Sequence, residues 1–391
     1  MLPLTGMKVI DVTTNISGPT VTMILADLGA EVIKIERPGK GDDARKMAPI
    51  VKEDGTYFLN INRNKKSVVL NLALDEAREV LYELIKDADI FVENFRLGKA
   101  DKLGLSYNKL KSINEKLVYC SLSAYGQNGP DRLKPGYDAI LQAETGIMSM
   151  TGSSELARVP VSLLDQGSAV WGALGIVTAL LQRAQTGKGQ KVATSLFETG
   201  VFWSGYHLLS TMLTGENPQK LGSNHGSFAP YGAFHTKDVP IMIGISNDRL
   251  FEKLCHVLQM SDWILNEKYG TNGDRVKNRL QLNEAIQTIL LEQDAASWLS
   301  QLENAGVPSA KVQTMEDMIS SPQLNDNDMI VKLDHPTNGE VHVVRMPITL
   351  SDTPLPIRSS SPTLGEHTEE ILSKLGKSPE VIKQVSKNSK D

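Results

Sequence analysis

The sequence predicts an α/β protein, with a parallel sheet in a larger domain and a smaller α+β domain following it. Three observations predict this. Strand-like and helix-like segments alternate from Met7 to Ala124, the pattern of a parallel sheet covered by helices. The chain then turns mainly helical from Tyr137 to Leu213. A Gly/Asn/Ser-rich stretch, GSNHGSFAPYG (Gly222–Gly232), next marks a loop and a domain junction, after which short strands return.

Each element has a local reason. MKVIDV (Met7–Val12) is a short apolar run suited to a buried strand. Gly18-Pro19 opens a helix through Ala30, with Pro19 in the first turn, where a missing N–H costs least. EVIKIER (Glu31–Arg37) alternates like a second strand. Val68–Leu72, a helix from Asp75, Asp89–Phe95, a helix to Ser112 and Leu117–Ala124 continue the order. Gln190–Ser195 interrupts the helical stretch that follows. Tyr231–His235 and Val239–Ser246 read as strands, and three helical stretches run to Ala305. Ile330–Asp334 and Glu340–Arg345 flank HPTNG, a hairpin with Asn338-Gly339 at its tip. Helices around Glu369–Leu375 and Glu380–Lys387 follow. The expected division is a large domain over 1–214, a small domain over 215–328 and a return to the large domain over 329–391.

Bulk properties exclude several function classes. With 391 residues the chain can bury two sizeable cores. Its net charge of −5 gives no global attraction for nucleic acid or an anionic membrane, so an anionic ligand must meet a local basic cluster. Cys120 and Cys255 stand far apart, which suits a reducing cytoplasm rather than a disulfide framework. MLPLTGMKVIDV has neither the basic nor the long apolar region of a signal peptide, and the apolar stretch Ala169–Leu181 is too short to span a bilayer. The expected location is cytoplasmic. The seven histidines show no HxH or HExxH spacing, so no metal is expected. No GxSxG elbow supports a serine hydrolase.

The candidate chemistry is confined to a few places. Glu36 ends the second strand where dinucleotide-binding proteins carry a ribose-binding acid. The preceding turn, TTNISGP, lacks the glycines that admit a pyrophosphate, which speaks against an NAD-dependent oxidoreductase. Three basic clusters follow strand ends: Lys34, Arg37, Lys40, Arg45 and Lys46; Arg63, Lys65 and Lys66; Arg96, Lys99 and Lys102. Each reads either as a solvated face or as a phosphate site. Asp165 stands alone before a long apolar helix. It reads as a helix N-cap, or as a nucleophile kept ionised at a helix N-terminus whose free N–H groups stabilise an oxyanion. Residue types leave both readings open.

A run of segments in a fixed order adds to this: LTGMKVIDVT, ADLGAEVIKIERPGKGDDAR, NRNKKSVVLNL, ADIFVENFRLGKADKLGLSY, SLSAYGQNGP, KPGYDAILQAETGIMSMTG, TGKGQKVATSLFE and SPTLGEHTEEIL. Nearly end to end, the chain resembles the class III CoA-transferases, the CaiB/BaiF type that includes α-methylacyl-CoA racemase. The resemblance implies a Rossmann-like large domain and an interlocked homodimer. It implies Asp165 as the nucleophile that forms an acyl anhydride and then an aspartyl-CoA thioester, with no cofactor beyond coenzyme A as co-substrate. It places Arg37, Leu70, Leu72, Asn94, Phe95, Arg96 and Lys102 on the CoA phosphates and adenine, and Lys134 and Tyr137 near the pantetheine. Ile16, Ser17, Asp138, Asn224, His225 and Gly226 fall at substrate positions. Racemase members carry a histidine where this chain has Tyr137, and tyrosine is a poor base near neutral pH, which favours transfer over racemisation. Ile16 and the loop Gly222-Ser223-Asn224-His225-Gly226 differ from the glutamine and polyglycine loop of formyl-CoA/oxalate enzymes. A same-fold racemase or epimerase and a non-catalytic CoA-binding protein are the remaining alternatives.

Overall fold

Six parallel strands form the main sheet in the computed structural model, which describes residues 1–388. They are β1 (Lys8–Asp11), β2 (Glu31–Glu36), β3 (Lys65–Val69), β4 (Ile90–Glu93), β5 (Val118–Ser123) and β6 (Lys191–Ser195). Their order is β3-β2-β1-β4-β5-β6, with Val9 of β1 in register with Val32 on one side and Ile90 on the other. The chain therefore reverses direction across the sheet between β1 and β4. Open α/β sheets bind ligands at such a switch point, beyond the carboxyl ends of the strands.

Both faces of the sheet are covered, which explains the continuous apolar runs in β1 and β4. One face places Ile10, Ile33, Val68 and Phe91 in a core with Val80, Leu81, Leu84 and Ile85 of the helix Asp75–Lys86. That helix carries Asp75 and Glu76 in its first turn and Lys86 in its last, matching its dipole. The other face joins Val9, Val32, Ile90 and Val92 to Val21 and Leu25 of α1 (Ser17–Asp27), and to Ala169, Ala173 and Ile176 of a long helix, Leu163–Thr186.

That long helix corrects the reading of its apolar core. At 24 residues it is long and apolar enough by length and composition to cross a membrane. Instead, a face of small residues (Gly167, Ser168, Ala169, Gly172, Ala173) is buried against its neighbours. A Cβ at Gly172 would lie 3.0 Å from a methyl of Val21, so the close approach of α1 leaves little room for a side chain there. The interruption at Gln190–Ser195 is strand β6, which among the described residues pairs only with β5. It is short and alternates exposed with partly buried residues, so it lacks the apolar run that made the inner strands readable.

The chain divides into two compact units. The first contains Met1–Thr145, Pro160–Tyr206 and the chain from Gln323; the second contains Gly146–Val159 and His207–Pro322. These limits differ from the expected 214 and 328, and the segment Gly146–Val159 was not anticipated in the smaller unit. The first unit also holds a hairpin of β10 (Ile330–His335) and β11 (Gly339–Val344). The second is built on an antiparallel sheet of β7 (Tyr231–His235), β8 (Pro240–Gly244) and β9 (Ser309–Lys311). Phe234, Ile241, Ile243, Phe251, Leu254, Leu282, Ile286 and Trp298 form its core. At three residues, β9 is too short to show a period in the sequence.

Candidate active site

Asp165 is not the cap of its helix. The helix begins at Leu163, so Asp165 lies in its first turn, and the N-cap position belongs to Ser162, whose side chain makes no capping bond. Ser162 has φ 47°, a left-handed conformation that non-glycine residues rarely adopt and that concentrates at functional sites. The cap comes from elsewhere in the chain. The N–H groups of Leu164 and Asp165 donate to Asp138 Oδ1 at 2.7 and 3.2 Å. Gln142 Nε2 donates to Asp138 Oδ2 at 2.5 Å. The amides expected to be free for an oxyanion at Leu164 and Asp165 are thus already engaged. Asp138, expected at a substrate position, is buried and holds the helix.

Asp165 itself is half-buried. Burial, with the negative Asp138 beside it, pushes its carboxyl up to about 7, against a stabilising hydrogen bond from Ser17. Ser17 opens α1 and is 7% exposed; Ile16, at the N-cap of α1, makes no side-chain capping bond. The arrangement is an acid held between its neutral and charged forms at neutral pH, on a rigid helix.

The loop joining β1 to α1 leads directly into Ser17 and is held by buried polar groups instead of glycines. Lys34 Nζ donates to the Thr13 carbonyl at 2.9 Å and pairs with Asp42 at 2.8 Å. Asp42 Oδ1 accepts from the Asn15 N–H at 2.8 Å, and Asn15 has φ 66°. Asp11 faces both Lys34 (3.8 Å) and Lys65 (3.2 Å). Burial alone would neutralise Asp11; the two lysines, with hydrogen bonds from the Thr13 and Thr22 hydroxyls, together outweigh it and hold its carboxyl down at about 2. Lys34 and Lys65 therefore belong to an internal network. Arg45 is likewise committed to Glu36 and Asp54, and Arg63 to Asp27, so these four basic residues of the clusters serve the fold. Glu36 also accepts from Ser67 Oγ at 2.6 Å, which leaves no ribose-binding acid.

A cleft of about 430 Å³ opens beyond the carboxyl ends of β1, β2 and β3. Arg37, Leu70, Leu72 and Phe95 line it, as do Thr13, Thr14, Lys40 and Lys99. Lys40 and Lys99 were visible only as members of the basic clusters; Lys99 Nζ lies 4.9 Å from the Phe95 ring centre. Arg37 is half-exposed and is shared with Asp43 (2.5 Å) and the Gly41 carbonyl. Asn94 does not line the cleft; its amide exchanges hydrogen bonds with the Thr14 backbone. Arg96 donates to the Leu133 carbonyl, Lys134 pairs with Asp131, Lys102 is exposed, and Tyr137 is 74% exposed. From Thr14, at the cleft, to Ser17, at Asp165, the chain spans at most about 11 Å.

In the second unit, Arg279 Nη2 donates to the carbonyls of His225 (2.8 Å) and Gly226 (2.9 Å). Asn283 Nδ2 donates to Asn224 Oδ1 at 2.8 Å, and the His225 N–H bonds the Tyr231 carbonyl. The loop is thus tied down by side chains from the helix Arg279–Leu290. Among the described residues, no group of three or more His, Cys, Asp or Glu is placed to hold a metal ion.

Comparison with known proteins fits this geometry. The family model described as CoA-transferase family III matches residues 4–368. The chain belongs to that family. This CoA-transferase is 36% identical over 375 residues to the Mus musculus succinyl-CoA:glutarate CoA-transferase, covering 95% of this chain and 86% of the relative. It is 37% identical over 352 residues to the acetyl-CoA:oxalate CoA-transferase of Acetobacter aceti, covering 89% of each. A crystal structure of a CAIB/BAIF family protein from Brucella suis superposes with a TM-score of 0.87 at 34% identity, over 96% of this chain and 99% of that one. The enzyme is a family III CoA-transferase that uses CoA thioesters as co-substrate.

Proposed function

We propose that this transferase moves CoA from a dicarboxylic acyl-CoA, with succinyl-CoA as the donor class, to a second dicarboxylic acid, with Asp165 as the covalent relay. The observation that carries the mechanism is the half-buried Asp165, ringed by Ser17 and Asp138 and joined to the cleft by the Thr14–Ser17 segment. The substrate class is supported by relatives named for succinyl-CoA with glutarate, mesaconate and malate.

The Asp165 carboxylate attacks the thioester carbonyl, the C–S bond breaks, and CoA leaves as thiolate, giving a mixed anhydride. The thiolate then attacks the aspartyl carbonyl, releasing the donor acid and forming an aspartyl-CoA thioester. The acceptor carboxylate displaces thiolate to give a second anhydride, and thiolate attack on the acceptor's acyl carbon returns Asp165. No proton, electron or water is consumed. The covalent relay divides an exchange between two anions into steps with good leaving groups.

Val170, Leu174 and Leu181 occupy one face of the long helix and are 54–66% exposed, and Phe202 on the next helix is 67% exposed. Exposed large apolar side chains of this kind support the interlocked homodimer that the family resemblance implies.

The mechanism is tested by mass spectrometry after incubation with succinyl-CoA and hydroxylamine. A hydroxamate at Asp165 is expected. Full transfer activity in Asp165→Asn, with deamidation excluded, would remove the relay.

A further inference from the structure

Asp138 has features unlike those of a substrate ligand. It is 7% exposed, and its two oxygens already accept three hydrogen bonds: from the amides of Leu164 and Asp165 and from Gln142. A carboxylate so saturated has little capacity left for an acid substrate and is poorly placed to take a proton from water. Its donors instead lie in the turn that carries Asp165. That turn starts from a strained residue without a cap of its own.

We infer that Asp138 is a positioning residue for the transfer reaction: it caps the turn of Asp165 from another helix and sets a fixed negative charge beside that carboxylate. The inference rests on the reading of Asp165 as the covalent relay. Two physical effects follow from one side chain. The hydrogen bonds fix where the Asp165 carboxylate points, because they immobilise the two backbone amides at and before it. The charge makes Asp165 harder to ionise, and so a more basic, more nucleophilic carboxylate once it has lost its proton. Among the described residues, the groups that shift Asp165 are Asp138 from the helix Asp138–Glu144 and Ser17 from α1.

The sign of the pH effect is fixed. Asp165 attacks only when ionised, so kcat/KM for acyl-CoA falls as pH drops through about 7 in the parent enzyme. Removing the neighbouring charge eases ionisation and moves this acid limb to lower pH.

The test uses the full-length enzyme, succinyl-CoA and glutarate, with pH profiles of three variants. Asp138→Asn keeps an acceptor for both amides and removes the charge. It is expected to shift the acid limb down by about one unit and to lower the rate at pH 8 a few-fold. Asp138→Ala removes cap and charge, and is expected to shift the limb similarly while lowering kcat tenfold or more at every pH. Asp138→Glu keeps the charge but displaces the oxygens, so kcat falls and the limb stays near its parental position; this variant carries the test if Asp138→Asn does not fold. An unshifted limb in Asp138→Asn, or equal kcat losses in Asn and Ala, would overturn the inference. A hydroxamate still forming at Asp165 in these variants separates this outcome from a failure of the relay itself.

Discussion

Asn94 and Thr14 exchange two hydrogen bonds across the switch point of the sheet. The Thr14 N–H donates to Asn94 Oδ1 at 3.1 Å, and Asn94 Nδ2 donates to the Thr14 carbonyl at 2.8 Å. The end of β4 thereby holds the β1–α1 loop that leads into Ser17. We predict that Asn94→Ala costs about 1–3 kcal/mol of stability in the CoA-free protein, as two partly buried hydrogen bonds are lost, and raises the KM for acyl-CoA. Denaturant unfolding without ligand decides the matter. Unchanged stability with a raised KM would make Asn94 a direct CoA ligand instead.

Asp165→Asn is predicted to abolish transfer and to stabilise the protein. The folded-state value of about 7 lies above the ordinary 3.8, so the fold binds this proton more tightly than the unfolded chain does. Ionising Asp165 therefore costs stability. The penalty is absent below about pH 4, grows between 4 and 7, and is complete above 7. The Asn variant should gain about 2 kcal/mol over the parent at pH 8, after allowance for partial exposure, and only about a quarter of that at pH 4.5. Thermal unfolding at the two pH values measures this, and a gain independent of pH would contradict it.

Arg37 gives a prediction with an opposite partner. Arg37→Ala should raise the KM for acyl-CoA about tenfold and leave that for the acid nearly unchanged. Asp43 competes for the same guanidinium, so Asp43→Asn should lower the KM for acyl-CoA a few-fold at low salt. Steady-state kinetics of both variants provide the check; equal effects of Arg37→Ala on both substrates would leave Arg37 structural.

Arg279 holds the Gly222–Ser227 loop through two carbonyls. Arg279→Ala is predicted to cost about 1–3 kcal/mol of stability, because both carbonyls lose a charged donor. Denaturant unfolding measures this, and an unchanged midpoint would leave the two hydrogen bonds without weight in the fold.

The sequence showed the sheet well where apolar runs were long, as in β1 and β4. It hid β6 and β9, which are short. Asp165 was legible because a lone acid before an apolar helix is unusual and the surrounding segments match a family. Its cap was not legible, since Asp138 lies 27 positions away and sequence signals for helix caps are local. The basic clusters misled for a related reason. Lys34 stands in register with Asp11, a pairing that only the sheet creates, so composition cannot separate it from Arg37 three residues later.

Asp11, Lys34, Asp42 and Lys65 form a buried set of two cations and two anions beneath the β1–α1 loop. Its consequence is evolutionary. Changing any one member strands an odd charge away from water, whereas exchanging the whole set for well-packed apolar groups can leave a fold as stable or more so. Drift at these four positions is therefore expected to be concerted, with single replacements purged and compensated pairs surviving. A library aimed at a hotter-running enzyme that samples the four sites separately will find only losses. One that replaces them together will recover stable proteins that have released the Thr13–Asn15 turn, and with it the alignment of the attacking acid.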